Sequence, residues 1–262
     1  MRIDLFLVDK DLVDSRQKAQ RLIKNGCVSV DGKILTKPSE DIDTATEHLI
    51  DITETDNERY VSRGGLKLEG ALSAFGISPK GMICADIGAS TGGFTDCLLQ
   101  NGAERVYAFD SGSGQLHSKL KNDKRVISKE GFNARYITLS DVGEKVDMVV
   151  MDVSFISQTI IIPAIVKLLC ENGIFVTLIK PQFEAGRSAL GKNGIVKHKE
   201  DRLAAVKKVL DCARENGLSL CGLIRSPIKG GDGNEEFLAS FKLSSGDEPL
   251  SGLDIKNIVY DK

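Results

Sequence analysis

The stretch of the chain that most limits its possible folds runs from Met82 to Phe94. It begins with an apolar run that predicts a short buried strand, continues through Asp86 into a glycine-rich turn, and leads into a helix expected to begin near Thr95. Glycine allows positive φ angles and lets the backbone approach a ligand closely. A strand, a glycine turn and a helix start, in this order, form the corner of doubly wound folds at which phosphates or nucleosides bind.

The spacing within this turn separates two kinds of ligand site. A dinucleotide fingerprint has three glycines in the pattern Gly-x-Gly-x-x-Gly, and Ser90 takes the place of the second one. The order Asp86-Ile-Gly-Ala-Ser-Thr-Gly-Gly-Phe instead resembles the first motif of class I S-adenosylmethionine-dependent methyltransferases. A tight turn without a ligand is the plain alternative. Asp110 favours a ligand, because it ends the next predicted strand at the distance where a ribose-binding acid is found.

The resemblance implies S-adenosyl-L-methionine as the cofactor, with contacts at three strand ends. The residues expected at its methionine end are Asp86, Gly88, Ser90 and Gly92. Asp110 is expected to bind the ribose. Asn133 follows the third predicted strand and is a candidate contact for the adenine.

From residue 82 onward, strand patterns alternate with helical patterns, which favours a mostly parallel sheet with helices on both faces. The predicted strands are 82–86, 105–109, 125–128, 147–151, 173–179, 218–224 and 236–243. The predicted helices lie near 95–101, 113–121, 157–170 and 200–216. Only a glycine-rich loop joins the last two strands, which favours an antiparallel pair. We expect an α/β fold with a seven-stranded Rossmann-like class I methyltransferase sheet, its last strand antiparallel.

Residues 1–59 are predicted to form a separate, small α+β domain. A short helical pattern, a second helix capped by Ser15, and a hairpin that turns at Asp31-Gly32 follow one another. This order resembles the alpha-L, or S4-type, RNA-binding domain. The methyltransferase domain is then expected at 60–245 and a C-terminal tail at 246–262, with a short docked helix as the alternative for this last stretch. The RNA contacts that the resemblance implies in the first domain are Arg2, Arg16, Lys18, Arg21 and Lys33.

Charge is distributed unevenly in the first domain, although the whole chain has a formal net charge of -2. Residues 15–37 contain six basic residues and one acid, whereas residues 38–58 contain eight acids and neither Lys nor Arg. This asymmetry is typical of a basic face beside an acidic segment, which would steer the domain toward RNA. Two ordinary solvated faces are the alternative.

The six cysteines and three histidines show no metal-binding spacing, since Cys-x-x-Cys is absent and the histidines lie far apart. We therefore expect no metal. Scattered cysteines in apolar patterns indicate reduced thiols and a cytoplasmic protein. The N-terminus has no apolar signal-peptide block. The longest apolar stretch, 160–170, contains Pro163 and Lys167 and is too short to span a membrane, so no membrane partner is expected.

Charged side chains are predicted at the edge where open α/β sheets bind ligands. Asp152 follows the fourth strand, Lys180 follows the fifth, and Glu236 begins the reversed last strand. Lys67 lies off the apolar stripe of the helix that precedes the sheet. The four residues resemble the Lys-Asp-Lys-Glu set of FtsJ-type ribose 2′-O-methyltransferases. Independent surface ion pairs are the alternative.

Several motifs in a fixed order extend the resemblance to nearly the whole chain. They are the N-terminal domain, Ser62-Arg-Gly-Gly-Leu-Lys67, the glycine turn, Asp152-Val-Ser-Phe-Ile-Ser and Lys180-Pro-Gln-Phe-Glu. Together they resemble the TlyA family, whose members often carry a haemolysin label. The resemblance implies 2′-O-methylation of cytidine in ribosomal RNA, with ribosomal RNA or ribosomal subunits as partners. Both subunits remain candidate substrates, and no oligomeric state is indicated.

A ribose 2′-hydroxyl becomes a good nucleophile only when its proton is removed or strongly polarised. Our hypothesis is that Lys180 is the base and that Asp152 and Glu236 orient it. Lys67 would supply a second cation, which favours a neutral amine and stabilises the developing alkoxide. The RNA contacts predicted around this cleft are Arg63, Arg135, Arg187 and Lys192.

Three other functions compete with this interpretation. A base methyltransferase would carry Asn/Asp-Pro-Pro-Tyr or a nucleophilic cysteine after the fourth strand, where this chain has Asp152-Val-Ser-Phe. A non-catalytic RNA-binding or ribosome-assembly factor could keep the cofactor pocket but would not need the four charged residues. A haemolysin would need an amphipathic or apolar segment, and the sequence pattern indicates none.

Overall fold

The chain divides into two compact units, Met1–Arg59 and Tyr60–Lys262, in a computed structural model. The structure describes residues 1–13, 15–53, 59–191, 193–230, 233–243 and 254–260. Each unit has hydrophobic core residues of its own. The chain therefore contains two folded bodies, of which the second is much the larger.

The first unit consists of two helices and a small antiparallel sheet. Its elements are α1 (Ile3–Asp9), α2 (Arg16–Lys24), β1 (Val28–Val30), β2 (Lys33–Leu35) and β3 (Ile50–Ile52). Ser15 caps α2, because its side chain accepts a hydrogen bond from the backbone N–H of Lys18. Asp31 and Gly32 turn the hairpin with positive φ angles, which suit the twist of a two-residue connection. β3 pairs with the other side of β1, and the sequence pattern does not indicate this strand.

The second unit is built on a seven-stranded sheet. Its strands are β4 (Ile83–Ile87), β5 (Arg105–Phe109), β6 (Val126–Lys129), β7 (Val146–Met151), β8 (Leu169–Ile179), β9 (Leu218–Arg225) and β10 (Phe237–Leu243). They lie in the order β6-β5-β4-β7-β8-β10-β9. Neighbours from β6 to β8 are parallel, whereas β10 is antiparallel to both β8 and β9. The predicted fold class is confirmed, including the reversed last strand.

Helices cover both faces of this sheet. They are α3 (Gly64–Phe75), α4 (Gly93–Gln100), α5 (Ser118–Lys121), α6 (Leu139–Val142), α7 (Ile162–Ile165), α8 (Pro181–Glu184), α9 (Lys199–Glu215) and α10 (Ile255–Tyr260). The helix predicted at 157–170 is instead split into a 3₁₀ turn at Gln158–Ile160, the short α7, and a second 3₁₀ turn at Val166–Leu168. Pro163 lacks a backbone N–H, which opposes one continuous helix here.

The two faces of the sheet carry separate cores, because successive side chains of a strand point to opposite sides. Ala85 and Ile87 belong to the core that α7, α9 and α10 complete. Cys84 belongs to the core beneath α3 and α4. Asp86 points to the same side as Cys84, so its carboxyl group is enclosed under α4. On the opposite side, α10 buries Val259, within the stretch expected to be a tail or a short docked helix.

Candidate active site

Four charged side chains meet at the edge where the parallel strands end. Asp152 directly follows β7, and Lys180 directly follows β8. Glu236 directly precedes β10, whose first residue pairs with the last residue of β8. Lys67 lies in the first turn of α3. Residues far apart in the sequence are therefore brought to one end of three neighbouring strands.

These side chains form two short ion pairs. Lys180 Nζ lies 2.6 Å from Asp152 Oδ1, and Lys67 Nζ lies 2.6 Å from Glu236 Oε2. The two lysine side chains are only 12% and 11% exposed, so water screens each pair weakly. Our hypothesis has both acids orienting Lys180. The structure instead places Glu236 on Lys67 and leaves Asp152 as the acid that contacts Lys180.

A cavity of about 290 Å³ lies beside both pairs. Its walls come from the start of α3, the glycine turn after β4, and the ends of β7 and β8. The charged residues that line it are Arg63, Lys67, Asp152 and Lys180. Glu236 is 3% exposed and contacts Lys67 without being part of the cavity wall. The cavity therefore combines three cationic groups with one carboxylate.

A second cavity, of about 620 Å³, shares a wall with the first. The residues that line both cavities are Gly88, Ser90, Asp152 and Ser154. The larger cavity combines apolar surface with a few polar groups, which is typical of a small-molecule site. Its apolar lining includes Phe109, Phe132, Val153, Ile156 and Ile161, and its polar lining includes Asp110, Gln115 and Asn133.

The turn after β4 forms the shared wall, and its backbone conformation requires glycine. Gly88 has a φ angle of 86°, and a Cβ there would collide with the main-chain carbonyl of Asp152. Its N–H donates to the carbonyl of Phe109 at 2.8 Å. Ser90 also has a positive φ angle, 49°, although it is not glycine. The turn is thus held closely against the end of β7.

Two residues predicted at the cofactor lie beneath the turn and do not line either cavity. Asp86 is fully buried and accepts a hydrogen bond from Thr95 Oγ1 at 2.7 Å. Its other oxygen, Oδ1, has no hydrogen-bond partner among the described residues. Burial raises the pKa of Asp86 to about 7, opposed by the hydrogen bond from Thr95. Gly92 is the N-cap of α4, with a φ angle of 97°, and a Cβ there would collide with Leu120.

The two residues predicted at the nucleoside end line the larger cavity, with side chains oriented by the main chain. The carboxylate of Asp110 accepts hydrogen bonds from the backbone N–H groups of Ser90 and Gly112, each at 2.7 Å. Asn133 accepts one from the backbone N–H of Arg135 at 3.1 Å, which caps a short 3₁₀ helix. Backbone N–H groups therefore orient both side chains.

Sequence reasoning missed two residues on the loop that follows β7. Ser154 lines both cavities, and its Oγ accepts a hydrogen bond from Lys180 Nζ at 2.8 Å. Phe155 is 92% exposed, has a φ angle of 63°, and packs against Phe183 with ring centroids 5.2 Å apart. Both residues belong to the Asp152-Val-Ser-Phe motif, whose first residue alone was predicted to act. The motif itself is the signal that could have identified them.

A third missed residue, Glu184, anchors the same loop from α8. Its buried carboxylate accepts hydrogen bonds from Ser157 Oγ and from the backbone N–H of Gln158, and it pairs with Lys208 at 3.5 Å. The Gln158 side chain in turn donates to the carbonyl of Leu178. Glu184 is the final residue of the Lys180-Pro-Gln-Phe-Glu motif, so this signal was also present in the sequence.

In the first unit, two predicted RNA contacts are engaged with a buried acid. Arg2 and Arg16 donate to the carboxylate of Asp4 at 2.9 and 3.0 Å, and Gln20 donates to it at 2.7 Å. Burial opposes ionisation of Asp4, but these three hydrogen-bonding side chains outweigh it and hold its pKa well below the usual value. The two guanidinium groups therefore stabilise the unit and are each still about half exposed.

The other predicted RNA contacts occupy different settings. Lys18 and Arg21 lie on α2. Lys33 begins β2 of the hairpin, and its Nζ lies 2.9 Å from Glu40 Oε1. In the second unit, Arg63 lines the smaller cavity. Arg135 and Arg187 are exposed on short 3₁₀ helices, and Lys192 lies outside the described residues.

Neither a metal cluster nor a membrane-spanning helix is found in the described ranges. No cluster of three or more His, Cys, Asp or Glu side chains within them has the arrangement needed to hold a metal ion. None of the helices in those ranges combines the length and the apolar character that crossing a membrane requires.

The two joined cavities fit a cofactor that has a nucleoside at one end and an amino acid at the other. The larger cavity offers apolar walls for a base and the fixed carboxylate of Asp110 for ribose hydroxyls. A side chain at Gly88 would collide with the main-chain carbonyl of Asp152 in the wall that the two cavities share. Beneath that wall, the unpaired Asp86 Oδ1 suits a cationic group above it. The fold and this site define a class I S-adenosylmethionine-dependent methyltransferase.

Comparison with known proteins identifies one family within this class of methyltransferases. The chain belongs to the FtsJ-like methyltransferase family, which it matches over residues 60–243. Residues 1–47 match the S4 domain. The RNA-binding type expected for the first unit and the FtsJ-type resemblance of the second are both confirmed.

Named relatives cover almost the whole chain. It is 41% identical over 260 residues to the 16S/23S rRNA (cytidine-2′-O)-methyltransferase TlyA of Mycobacterium tuberculosis, spanning 99% of this chain and 96% of that protein. It is 47% identical over 249 residues to Hemolysin A of Brachyspira hyodysenteriae, spanning 92% and 99%. A solved structure of a hemolysin-named protein from Streptococcus thermophilus has a TM-score of 0.77 at 44% identity, covering 99% of this chain and 94% of that chain. The predicted resemblance to the TlyA family is confirmed.

Proposed function

We propose that the chain methylates the 2′-hydroxyl of cytidine in ribosomal RNA. The observation that carries this proposal is the presence of two lysine–carboxylate pairs beside the wall that the two cavities share. Such pairs suit a hydroxyl that must lose a proton while it accepts a methyl group. The name of the Mycobacterium tuberculosis relative, which specifies cytidine-2′-O-methylation of 16S and 23S rRNA, supports the choice of substrate.

Lys180 is the proposed base, because it lines the smaller cavity and its Nζ lies 2.6 Å from Asp152 Oδ1. S-adenosylmethionine supplies an electrophilic methyl group when it is bound. Held by the residues named below, the cofactor would give this methyl group to the ribose oxygen, and its sulfur would leave as a neutral thioether. The hydroxyl proton passes to the neutral amine of Lys180. Asp152 orients the amine and stabilises the ammonium that results.

Lys67 is the proposed second cation of the site. It lines the same cavity as Lys180, while the buried Glu236 holds it from behind. A fixed ammonium beside the ribose oxygen stabilises the negative charge that develops as the proton leaves. Glu236 acts through Lys67, by holding its ammonium group in position. Without this acid, Lys67 would be a nearly buried cation with no counter-charge.

The proposed cofactor contacts follow the two cavities. Asp110 would accept hydrogen bonds from the ribose hydroxyls and Asn133 would contact the adenine, since both residues line the larger cavity. The residues proposed to form the methionine end, either in the wall or beneath it, are Asp86, Gly88, Ser90 and Gly92. Closely approaching backbone and a buried acid are suited to the charged, compact end of this cofactor.

Both units are proposed to hold the RNA. The contacts proposed in the S4 unit are Arg2, Arg16, Lys18, Arg21 and Lys33, and those in the methyltransferase unit are Arg63, Arg135, Arg187 and Lys192. Arg63 has the strongest support, since it lines the smaller cavity. Phosphate contacts position an RNA without reading its sequence. Such a substrate implies a cytoplasmic protein whose partners are ribosomal subunits.

The test is transfer of a tritiated methyl group from S-adenosylmethionine to isolated 30S subunits, 50S subunits and protein-free rRNA. We expect label in at least one subunit, and mapping of 2′-O-methyl groups should place it on cytidine. Label on a base, or no label in any substrate, would overturn the proposal. The name of the Brachyspira hyodysenteriae relative makes lysis a second candidate function. Release of a dye from liposomes, with no methyl transfer, would favour that candidate.

A further inference from the structure

The proposed base has a second oxygen partner besides Asp152. Lys180 Nζ lies 2.6 Å from Asp152 Oδ1 and donates a hydrogen bond to Ser154 Oγ at 2.8 Å. The two partners are separated by one residue on the loop after β7, and both line the two cavities. Ser154 is exposed toward these cavities, so its hydroxyl is not needed to satisfy a buried group of the core.

The loop that carries Ser154 is fixed at both ends. At its start, the backbone N–H of Asp152 donates to the carbonyl of Ile87 at 3.0 Å. At its far end, Gln158 is buried and bridges Thr177 Oγ1 and the carbonyl of Leu178. The Ser154 hydroxyl is therefore presented to Lys180 by a preorganised loop and not by a freely moving one.

The hydroxyl differs chemically from the carboxylate beside it. An ionised carboxylate only accepts hydrogen bonds, so Asp152 favours the ammonium form of Lys180. A serine hydroxyl can accept from an ammonium and can also donate to a neutral amine after rotation about its C–O bond. Lys180 is thereby given a partner in both protonation states, in a cavity where Arg63 and Lys67 are also present and Glu236 is bound to Lys67.

We infer that Ser154 is a positioning residue, which holds Lys180 Nζ in one place before and after it takes up the ribose proton. This inference rests on the proposed function, because it assigns a role relative to Lys180 as the base. A direct contact of Ser154 with the cofactor is the competing role. The two roles differ in which kinetic quantity they control.

The test compares Ser154→Ala and Ser154→Thr in the full chain, with methyl transfer measured as a function of pH. Ser154→Ala should lower kcat about 5- to 30-fold and leave KM for S-adenosylmethionine within about twofold. An ammonium loses a stronger hydrogen bond than a neutral amine does, so the pH of half-maximal rate should fall by about 0.5–1 unit. Ser154→Thr, which keeps the hydroxyl, should restore most of the rate. Ser118→Ala removes a hydroxyl outside both cavities and is the matched control.

Three results would overturn the inference. They are an unchanged rate in Ser154→Ala, a rise in cofactor KM without a change in the pH profile, and a failure of Ser154→Thr to recover activity. A parent chain that transfers no methyl group would contradict the proposed function separately. In that case, the Lys180 titration can be followed by NMR in protein labelled with ¹³C-lysine. An unchanged titration midpoint in Ser154→Ala would overturn the inference, and a lower midpoint would support it.

Discussion

Gly88 leaves no room for a side chain against the main-chain carbonyl of Asp152, where the turn after β4 meets the end of β7. The backbone N–H of Asp152 donates to the carbonyl of Ile87, the residue just before that glycine. This contact between the turn and the end of β7 separates the larger cavity from the smaller one. A change in the glycine turn should therefore directly shift Asp152, the acid that contacts Lys180.

Gly88→Ala is expected to weaken S-adenosylmethionine binding at least tenfold and to lower methyl transfer further. The new Cβ would collide with the carbonyl of Asp152, and alanine disfavours the φ angle of 86° at this position. Either the turn or the end of β7 must move. Isothermal titration calorimetry with the cofactor measures the first effect, and labelled methyl transfer measures the second.

Gly143→Ala is the matched control for this change. Gly143 has a φ angle of 90°, but a Cβ there would meet no atom within 4 Å. The Gly143→Ala variant therefore has the backbone strain of an alanine with a left-handed conformation, about 1–2 kcal/mol, but no collision. Cofactor affinity should stay within twofold of the parent chain. Equal losses in both variants would show that strain alone, and not the contact with Asp152, accounts for the effect.

Lys180→Ala is expected to reduce methyl transfer by about 10²- to 10⁴-fold, the range that a positioned acid or base contributes. Cofactor affinity should change little, because Lys180 does not line the larger cavity. Lys207→Ala, an exposed lysine of α9, is the control and should retain full activity. Unchanged methyl transfer in Lys180→Ala, with the cofactor still bound, would defeat the assignment of the base.

The sequence predicted the sheet well because its signals are local. Alternating strand and helix patterns gave the parallel strands, and a short connection gave the reversed β10. The strand β3 was missed because its three residues, Ile50–Ile52, form a strand by pairing with the distant β1. The helix expected at 157–170 was misjudged because its apolar residues serve the core of the sheet while Pro163 interrupts the backbone bonding.

At the site, residue types and strand ends were predictable, but the partner of one acid was not. The hypothesis placed both acids on Lys180, and the structure keeps only Asp152 there. The pairing of Glu236 with Lys67 depends on a side-chain distance that no sequence pattern encodes. The role of Ser154 was hidden for the same reason. A serine after an acid is common, and only the fold brings its hydroxyl to Lys180.

Asp86→Asn is expected to flatten the dependence of stability on pH. Burial raises the pKa of Asp86 to about 7, so the folded chain keeps a proton that the unfolded chain has already lost between about pH 4 and 7. Stability from this group is therefore lost as the pH rises through that window, by about 4 kcal/mol at most. Hydrogen exchange of the β4 and β5 amides at pH 5 to 8 measures the effect. Parallel curves for variant and parent would contradict the raised pKa.

Arg21→Ala is expected to weaken rRNA binding. Loss of one phosphate contact should reduce the slope of log K against log[salt] by about 0.7–0.9. Removal of Arg2 or Arg16 would leave the buried Asp4 short of a partner and mix folding with binding. Fluorescence anisotropy with an rRNA fragment at several salt concentrations measures the slope. Arg214→Ala on α9 should leave it unchanged, and an unaltered slope in Arg21→Ala would remove that contact from the proposal.

Glu184→Ala is expected to loosen the loop between Asp152 and Gln158. The buried carboxylate satisfies Ser157 and the backbone N–H of Gln158, so its removal should lower the local free energy of opening by about 2–4 kcal/mol. Because the same loop carries the acid that contacts Lys180, methyl transfer should fall with it. Hydrogen exchange across residues 152–158 measures the opening, and Glu215→Ala, an exposed acid at the end of α9, is the control. Faster exchange with full activity would show that the anchor does not position the site.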